Sequence, residues 1–136
     1  MLDFSTDLGK RAAGRLAKEK VIWLTTVGAD GTPQPNPVWF LWESDSFLIY
    51  TQPRSIKVRN IRHNPNVALH FNDRDGDDVV VFTGEARFES QVSPEPLAAY
   101  LEKYREGIPA IGMTPESFAQ SYSVVIRATP NKMRGF

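Results

Sequence analysis

Val21-Ile22-Trp23-Leu24-Thr25-Thr26-Val27-Gly28-Ala29-Asp30-Gly31 begins with a run of apolar, aromatic and β-branched residues and ends in a turn signal. The run is too short for a typical helix and has strand formers at nearly every position, so it predicts a β-strand that reverses at 28–31. The returning arm, Pro33 to Trp42, carries prolines at 33, 35 and 37. Proline donates no ladder hydrogen bond, so the first half of this arm is expected at a sheet edge or irregular, with pairing resumed at Val38-Trp39-Phe40-Leu41-Trp42. A proline-broken stretch leaves backbone carbonyls and the side chains of Gln34 and Asn36 free to meet something else.

Upstream, Ser5 to about Lys18 reads as an amphipathic helix: Ser5 or Thr6 can cap it, Leu8, Ala12 and Leu16 recur at helical spacing, and Gly9 and Gly14 weaken it. Downstream, Glu43-Ser44-Asp45-Ser46 is a polar turn before a third strand, Phe47 to Thr51. Asn64-Pro65 precedes a strand over Val67 to Asn72, and Val79 to Phe88 is a longer one whose Gly84 predicts a bulge or tight bend. Pro94-Glu95-Pro96 opens a helix to about Glu106, a short helix follows Thr114-Pro115, and Tyr122 to Arg127 is the last long strand. Pro130-Asn131-Lys132 is expected to turn the tail back toward Phe136. About six strands in a meander with helices inserted late predict a mainly β fold, a small barrel with peripheral helices, occupying residues 1–136 as a single domain.

Between the third strand and Asn64 lies Thr51-Gln52-Pro53-Arg54-Ser55-Ile56-Lys57-Val58-Arg59-Asn60-Ile61-Arg62, which holds four cations and no acid. The whole chain is balanced, with 16 Lys+Arg against 16 Asp+Glu, so this is a local excess. Ser55 is a preferred N-cap, and a helix from Ser55 to His63 would present unpaired N–H groups, the positive end of its dipole, a hydroxyl and the Lys57 ammonium together. From charge alone, the segment reads equally as a phosphate site and as a solvated basic helix face.

Composition narrows the chemistry. There are no cysteines and two histidines, so thiol catalysis and thiolate metal sites are absent and a histidine-rich metal site within one chain is not expected. The acidic loop Asp73-Arg74-Asp75-Gly76-Asp77-Asp78 has calcium-like spacing but no Glu at the twelfth position, and it reads as a solvated turn. No apolar run of membrane-spanning length and no signal-like amino terminus is present, which predicts a cytoplasmic protein with no membrane partner. A pI near 6.7 argues against nucleic acid as a partner. No triad, His-carboxylate motif or P-loop stands out, and no catalytic residue is assigned.

The order of these signals resembles the flavin-binding split β-barrel family related to pyridoxamine 5′-phosphate oxidase. The resemblance rests on Pro37-Val38-Trp39-Phe40, the strand into Thr51, Arg54-Ser55-x-Lys57-x-x-Asn60-Ile61-Arg62-x-Asn64-Pro65 and Val67-Ala68-Leu69, spans about residues 15 to 90, and has a weaker echo at Val124-Val125-Ile126-Arg127-x-x-Pro130. It implies a six-stranded antiparallel split barrel of the FMN-binding type, working as a homodimer with coenzyme sites at the interface. It also implies phosphate contacts at Thr51, Arg54, Ser55 and Lys57, and contacts to the coenzyme ring at Gln34, Asn36, Pro37, Val38, Trp39 and Phe40. Because strand side chains alternate, only one of Trp39 and Phe40 is expected to face a ligand. Asn60 is expected to brace its helix, and His70 to be a half-buried histidine.

Within that family, length and the basic segment are most similar to the short proteins that use the deazaflavin coenzyme F420. The expected function is therefore hydride transfer from coenzyme F420 to a small organic substrate. FMN-dependent oxidase or reductase activity, or a non-catalytic flavin- or haem-binding barrel, are the alternatives. Cations beyond the first phosphate shell, such as Arg59, Arg62 or Lys20, would favour the longer F420 molecule over FMN. The arginine-rich carboxyl-terminal substrate segment of the family's pyridoxamine oxidases is not matched by Asn131-Lys132-Met133-Arg134-Gly135-Phe136, which argues against vitamin B6 oxidation.

Overall fold

A computed structural model describes residues 2–90 and 93–136. Helix α1 (Asp7–Lys18) leads into strands β1 (Ile22–Val27), β2 (Pro33–Val38), β3 (Leu41–Glu43) and β4 (Ser46–Thr51). Helix α2 (Ile56–His63), strands β5 (Asn66–His70) and β6 (Val80–Phe88), helices α3 (Pro94–Lys103), α4 (Gly107–Ala110) and α5 (Pro115–Ser121), and strand β7 (Val124–Gly135) complete the chain. Thr6 caps α1, its side chain accepting the Gly9 N–H. Among the described residues no helix is long and apolar enough to cross a membrane.

The strands form one antiparallel sheet in the order β2-β1-β5-β6-β7-β4-β3. Its two edge strands, β2 and β3, are joined by Trp39 and Phe40 alone. Laid flat, seven strands would hold their edges about 29 Å apart, yet the three-residue step from Val38 to Leu41 reaches about 11 Å at most. The sheet therefore curls until its edges nearly meet, and the seam between them is the split of the barrel.

The count is seven strands rather than the expected six, because the Pro33–Trp42 arm is two strands on opposite edges. Its proline half lies at the sheet edge, one of the two placements expected for it, and is regular. Gly28 N–H donates to Thr32 O at 2.9 Å, which puts Thr26–Gln34, Leu24–Asn36 and Ile22–Val38 at the hydrogen-bonded pairs of the hairpin. Prolines 33, 35 and 37 occupy the alternate positions, whose nitrogens face the open edge, so no ladder bond is lost and the edge is blunted. The break falls instead at Trp39-Phe40, where the chain crosses the seam.

The tail also departs from expectation: β7 runs through Pro130 to Gly135, paired with β6 throughout. Thr83 pairs with Lys132 and Gly84 with Pro130, so Asn131 is the extra residue of a bulge. A Cβ on Gly84 would run into the Thr129 carbonyl, which explains glycine there. The bulge that Gly84 signals lies across the ladder, in its partner.

Two apolar layers result. Phe40, Phe47, Ile49, Phe71, Phe82 and Ile126 fill the barrel, while Leu48, Tyr50, Tyr100, Tyr104, Ile108 and Phe118 pack α3, α4 and α5 against its outside. Strand β4 is buried along its whole length because it serves both layers, Phe47 and Ile49 inward, Leu48 and Tyr50 outward. Each such ring or branched chain contributes about 1.5–3 kcal/mol on burial.

Candidate functional site

The end of β4, the start of α2, the end of β2 and the outer helical layer surround a cavity of about 450 Å³. Thr51, Ser55 and Lys57 form its polar lining, and Pro37, Val38 and Trp39 border the same space. The remaining lining comes chiefly from Tyr50, Tyr100, Phe118 and Tyr122. Six of the ten residues expected to bind a coenzyme thus meet around one space.

The polar wall has the chemistry of an anion site. Thr51 is buried, and its hydroxyl lies 3.4 Å from that of Ser55, the N-cap of α2. The Ser55 side chain makes no capping bond, which leaves the first-turn N–H groups of α2 without a side-chain acceptor. Lys57 is half-buried and has no salt-bridge partner among the described residues. Burial holds its ammonium below the usual lysine value. Hydroxyls, a helix N-terminus and an uncompensated cation converge on the same side of the cavity.

The aromatic wall contains an unmet donor. The Tyr50 hydroxyl is buried without a hydrogen-bond partner among the described residues. Burial first, and then the Glu89 charge, push its pKa up to about 12, so near neutral pH it keeps its proton and can donate. Trp39 stacks on Tyr104 at 4.4 Å between ring centroids with a 4° interplanar angle, and Phe118 lies 5.8 Å from it. The indole is fixed from two sides.

Residues 8–136 match the family model for pyridoxamine 5′-phosphate oxidase. The chain belongs to the pyridoxamine 5′-phosphate oxidase family. Pyridoxine/pyridoxamine 5′-phosphate oxidase 2 of Hydrogenovibrio crunogenus is 38% identical over 58 residues, which is 42% of this chain but only 27% of that relative. The haem storage protein HutZ of Vibrio cholerae superposes with a TM-score of 0.74 over 96% of this chain and 95% of its own, at 17% identity, a likeness of fold. An F420 reductase superposes with a TM-score of 0.66 over 89% of this chain and 94% of its own, at 26% identity.

In this member of the pyridoxamine 5′-phosphate oxidase family, four of the expected residues stand apart from the cavity wall. The Phe40 ring is fully buried in the barrel core, because alternation across the seam sends it inward where Trp39 points outward. Its backbone is committed as well: Phe40 N–H donates to the Tyr104 hydroxyl at 2.8 Å, and Phe40 O accepts from Lys103 Nζ at 2.7 Å. Gln34 accepts from Asn60 Nδ2 at 2.6 Å, and the same nitrogen lies 3.0 Å from Thr26 Oγ1, so Asn60 braces α2 against β1 and β2. Asn36 and Arg54 are exposed. His70 is half-buried, stacked on Trp23 at 6.3 Å.

Sequence reading missed the aromatic wall. Tyr50 carried a signal in its place beside Thr51 on a strand buried on both faces. Tyr100 and Tyr104, and Phe118 and Tyr122, repeat at helical i, i+4 spacing, which marks buried aromatic faces without showing which strand they cover.

Proposed function

We propose that this chain binds the deazaflavin coenzyme F420 in the cavity around Lys57 and serves as an oxidoreductase toward a small organic substrate. The observation that carries the reading is the convergence of an anion site (Thr51, Ser55, Lys57) and an aromatic lining (Tyr50, Tyr100, Phe118, Tyr122) on one space. A phosphate-bearing heterocycle satisfies both ends. When bound, the coenzyme supplies the hydride chemistry. The chain's own residues do the rest: Lys57 and the first turn of α2 hold the phosphate, and Trp39 with Phe118 and Tyr122 exclude water.

Two facts support F420 ahead of FMN. An F420 reductase shares 26% identity with this chain across 89% of it. Arg54, Arg59 and Arg62 stand exposed at and along α2 with no salt-bridge partner among the described residues, available to an acidic tail beyond the first phosphate. FMN is the second reading, because the family is that of pyridoxamine 5′-phosphate oxidase. A homodimer belongs to the proposal: Ile56 and Ile111, 51% and 49% exposed, give apolar surface at the start of α2 and on the cavity lining for a second subunit to cover.

Fluorescence titration of the purified protein with each coenzyme tests the choice. F420 is expected to bind the more tightly; FMN binding at about micromolar Kd or tighter, with negligible F420 affinity, overturns it. Tyr50→Phe is expected to leave the free protein no less stable, since the lost hydroxyl is buried and had no partner among the described residues; thermal melts of the two proteins check it, and a lowered melting temperature would show that the hydroxyl is bonded after all.

A further inference from the structure

A second cavity of about 450 Å³ shares one lining residue, Trp39, with the first. The second cavity is bordered by Lys20 and by Lys103 at the end of α3, with Tyr104 as its aromatic floor.

The charges here are unusually placed. Lys20 Nζ donates to Lys103 O at 2.7 Å, and Lys103 Nζ donates to Phe40 O at 2.7 Å. Neither ammonium has a salt-bridge partner among the described residues, although surface lysines have carboxylates to choose from in a balanced chain. Both lie over the same ring, 5.7 and 5.3 Å from the Tyr104 centroid, and Lys103 Nζ is also 3.7 Å from that of Phe40. An ammonium has three N–H donors, and each of these spends one on a neutral carbonyl. Two acids border the space: Glu102 is tied to Arg105 at 3.0 Å, and Glu106 is exposed. Burial, with the Lys20 charge second, pulls Lys103 down to about 8, against a smaller opposing pull from the Glu19 carboxylate. A half-buried cation repelled by a neighbouring cation is a site that an incoming anion would relieve.

We propose that this second cavity is a binding site for a compact organic anion, its carboxylate received by Lys20 and Lys103. Trp39 and Tyr104 are stacked on each other, and Trp39 packs on Phe118 as well, so the site selects its ligand by charge through the two ammoniums and not by a free ring face. This site is distinct from the coenzyme cavity, and its occupancy depends neither on F420 nor on FMN.

Benzoate is the probe, titrated by calorimetry and by NMR shift perturbation against the full chain, with benzyl alcohol as the neutral match. Saturable benzoate binding at about millimolar Kd or tighter is expected, with benzyl alcohol at least about tenfold weaker. Lys20→Met and Lys103→Met should each weaken benzoate by about tenfold, as loss of a charge-assisted donor does. Lys103 also braces Phe40, so Lys20→Met carries the test if the other variant folds poorly. Lys57→Ala should leave benzoate binding unchanged, which separates this site from the coenzyme reading. Absence of saturable binding to about 20 mM, equal binding of benzyl alcohol, unchanged affinity in Lys20→Met, or loss of benzoate binding in Lys57→Ala would each overturn the assignment.

Discussion

Arg127→Met is expected to cost about 3–5 kcal/mol of folding stability, the range seen when one partner of a buried ion pair is removed and its counter-charge is left behind. The guanidinium on β7 has 11% of its side-chain surface exposed and is shared among three separate segments. It forks onto the Glu89 carboxylate just beyond β6, reaches Glu43 Oε2 at 2.9 Å at the end of β3, and donates to Ser46 Oγ at 2.6 Å at the start of β4. The β3–β4 turn it holds contains Ser44 and Asp45 at φ 53° and 58°, a conformation that non-glycine residues adopt reluctantly. Methionine preserves the apolar stem but leaves two carboxylates facing each other with their cation gone. Urea unfolding should show a lower midpoint with an unchanged slope. A loss under about 1 kcal/mol would mean that solvent screens the network as it does an exposed pair.

Acid titration reads the same network from the other side. Hydrogen bonding from Arg127 holds the Glu89 carboxyl below its ordinary value of 4.5. A carboxyl with a depressed folded value adds stability that is complete above its unfolded value and is lost as pH falls through the folded one. Wild-type stability should therefore decline below about pH 4.5, and the decline should be shallower in Arg127→Met, where Glu89 has no cation to lose. Parallel declines would remove the pair from the acid sensitivity.

Much of the barrel was legible because its signals are local. Strand formers at nearly every position of 21–27 and the turn at 28–31 act within a few residues of where they are read. What escaped depends on register. Three prolines two apart fit an edge strand or a broken one equally until the hairpin pairing puts all three nitrogens on the free edge. Likewise Trp39 and Phe40 look like the middle of a strand until the sheet order shows that they cross the seam. Pro130 reads as a turn because the partner that accommodates it, Gly84, is 46 positions away in the chain.

The site divides along the same line. Thr51, Ser55 and Lys57 are contiguous, so charge and capping logic bring them together, and the structure sets them on one wall. Arg54 shares that segment but is exposed, since two residues before the first helical turn the chain faces solvent. The aromatic wall is assembled by α3 and α5, whose packing partner is the outer face of β4. Helical periodicity shows that Tyr100 and Phe118 face a core without showing whose.

Lys57→Ala is expected to weaken coenzyme binding by about 1.5–3 kcal/mol, or roughly 10- to 150-fold, the range for a charge-assisted phosphate contact. The free protein should be no less stable than wild type, because the ammonium is half-buried without a salt-bridge partner among the described residues and its burial works against the charged form. That opposition of signs distinguishes a binding lysine from a structural one, whose removal would lower both. Lys57→Arg should recover part of the affinity, since it keeps the charge while changing its reach. The pH profile follows from the lowered value: an anionic ligand binds the protonated ammonium, so affinity should fall as pH rises through that value, and Lys57→Ala should lose this alkaline limb. Titrations at several pH values, beside urea melts of the free proteins, measure all of it. An unchanged Kd, or an affinity loss matched by an equal loss of stability, would remove Lys57 from the coenzyme site and leave the convergence of Thr51, Ser55 and α2 without its charge.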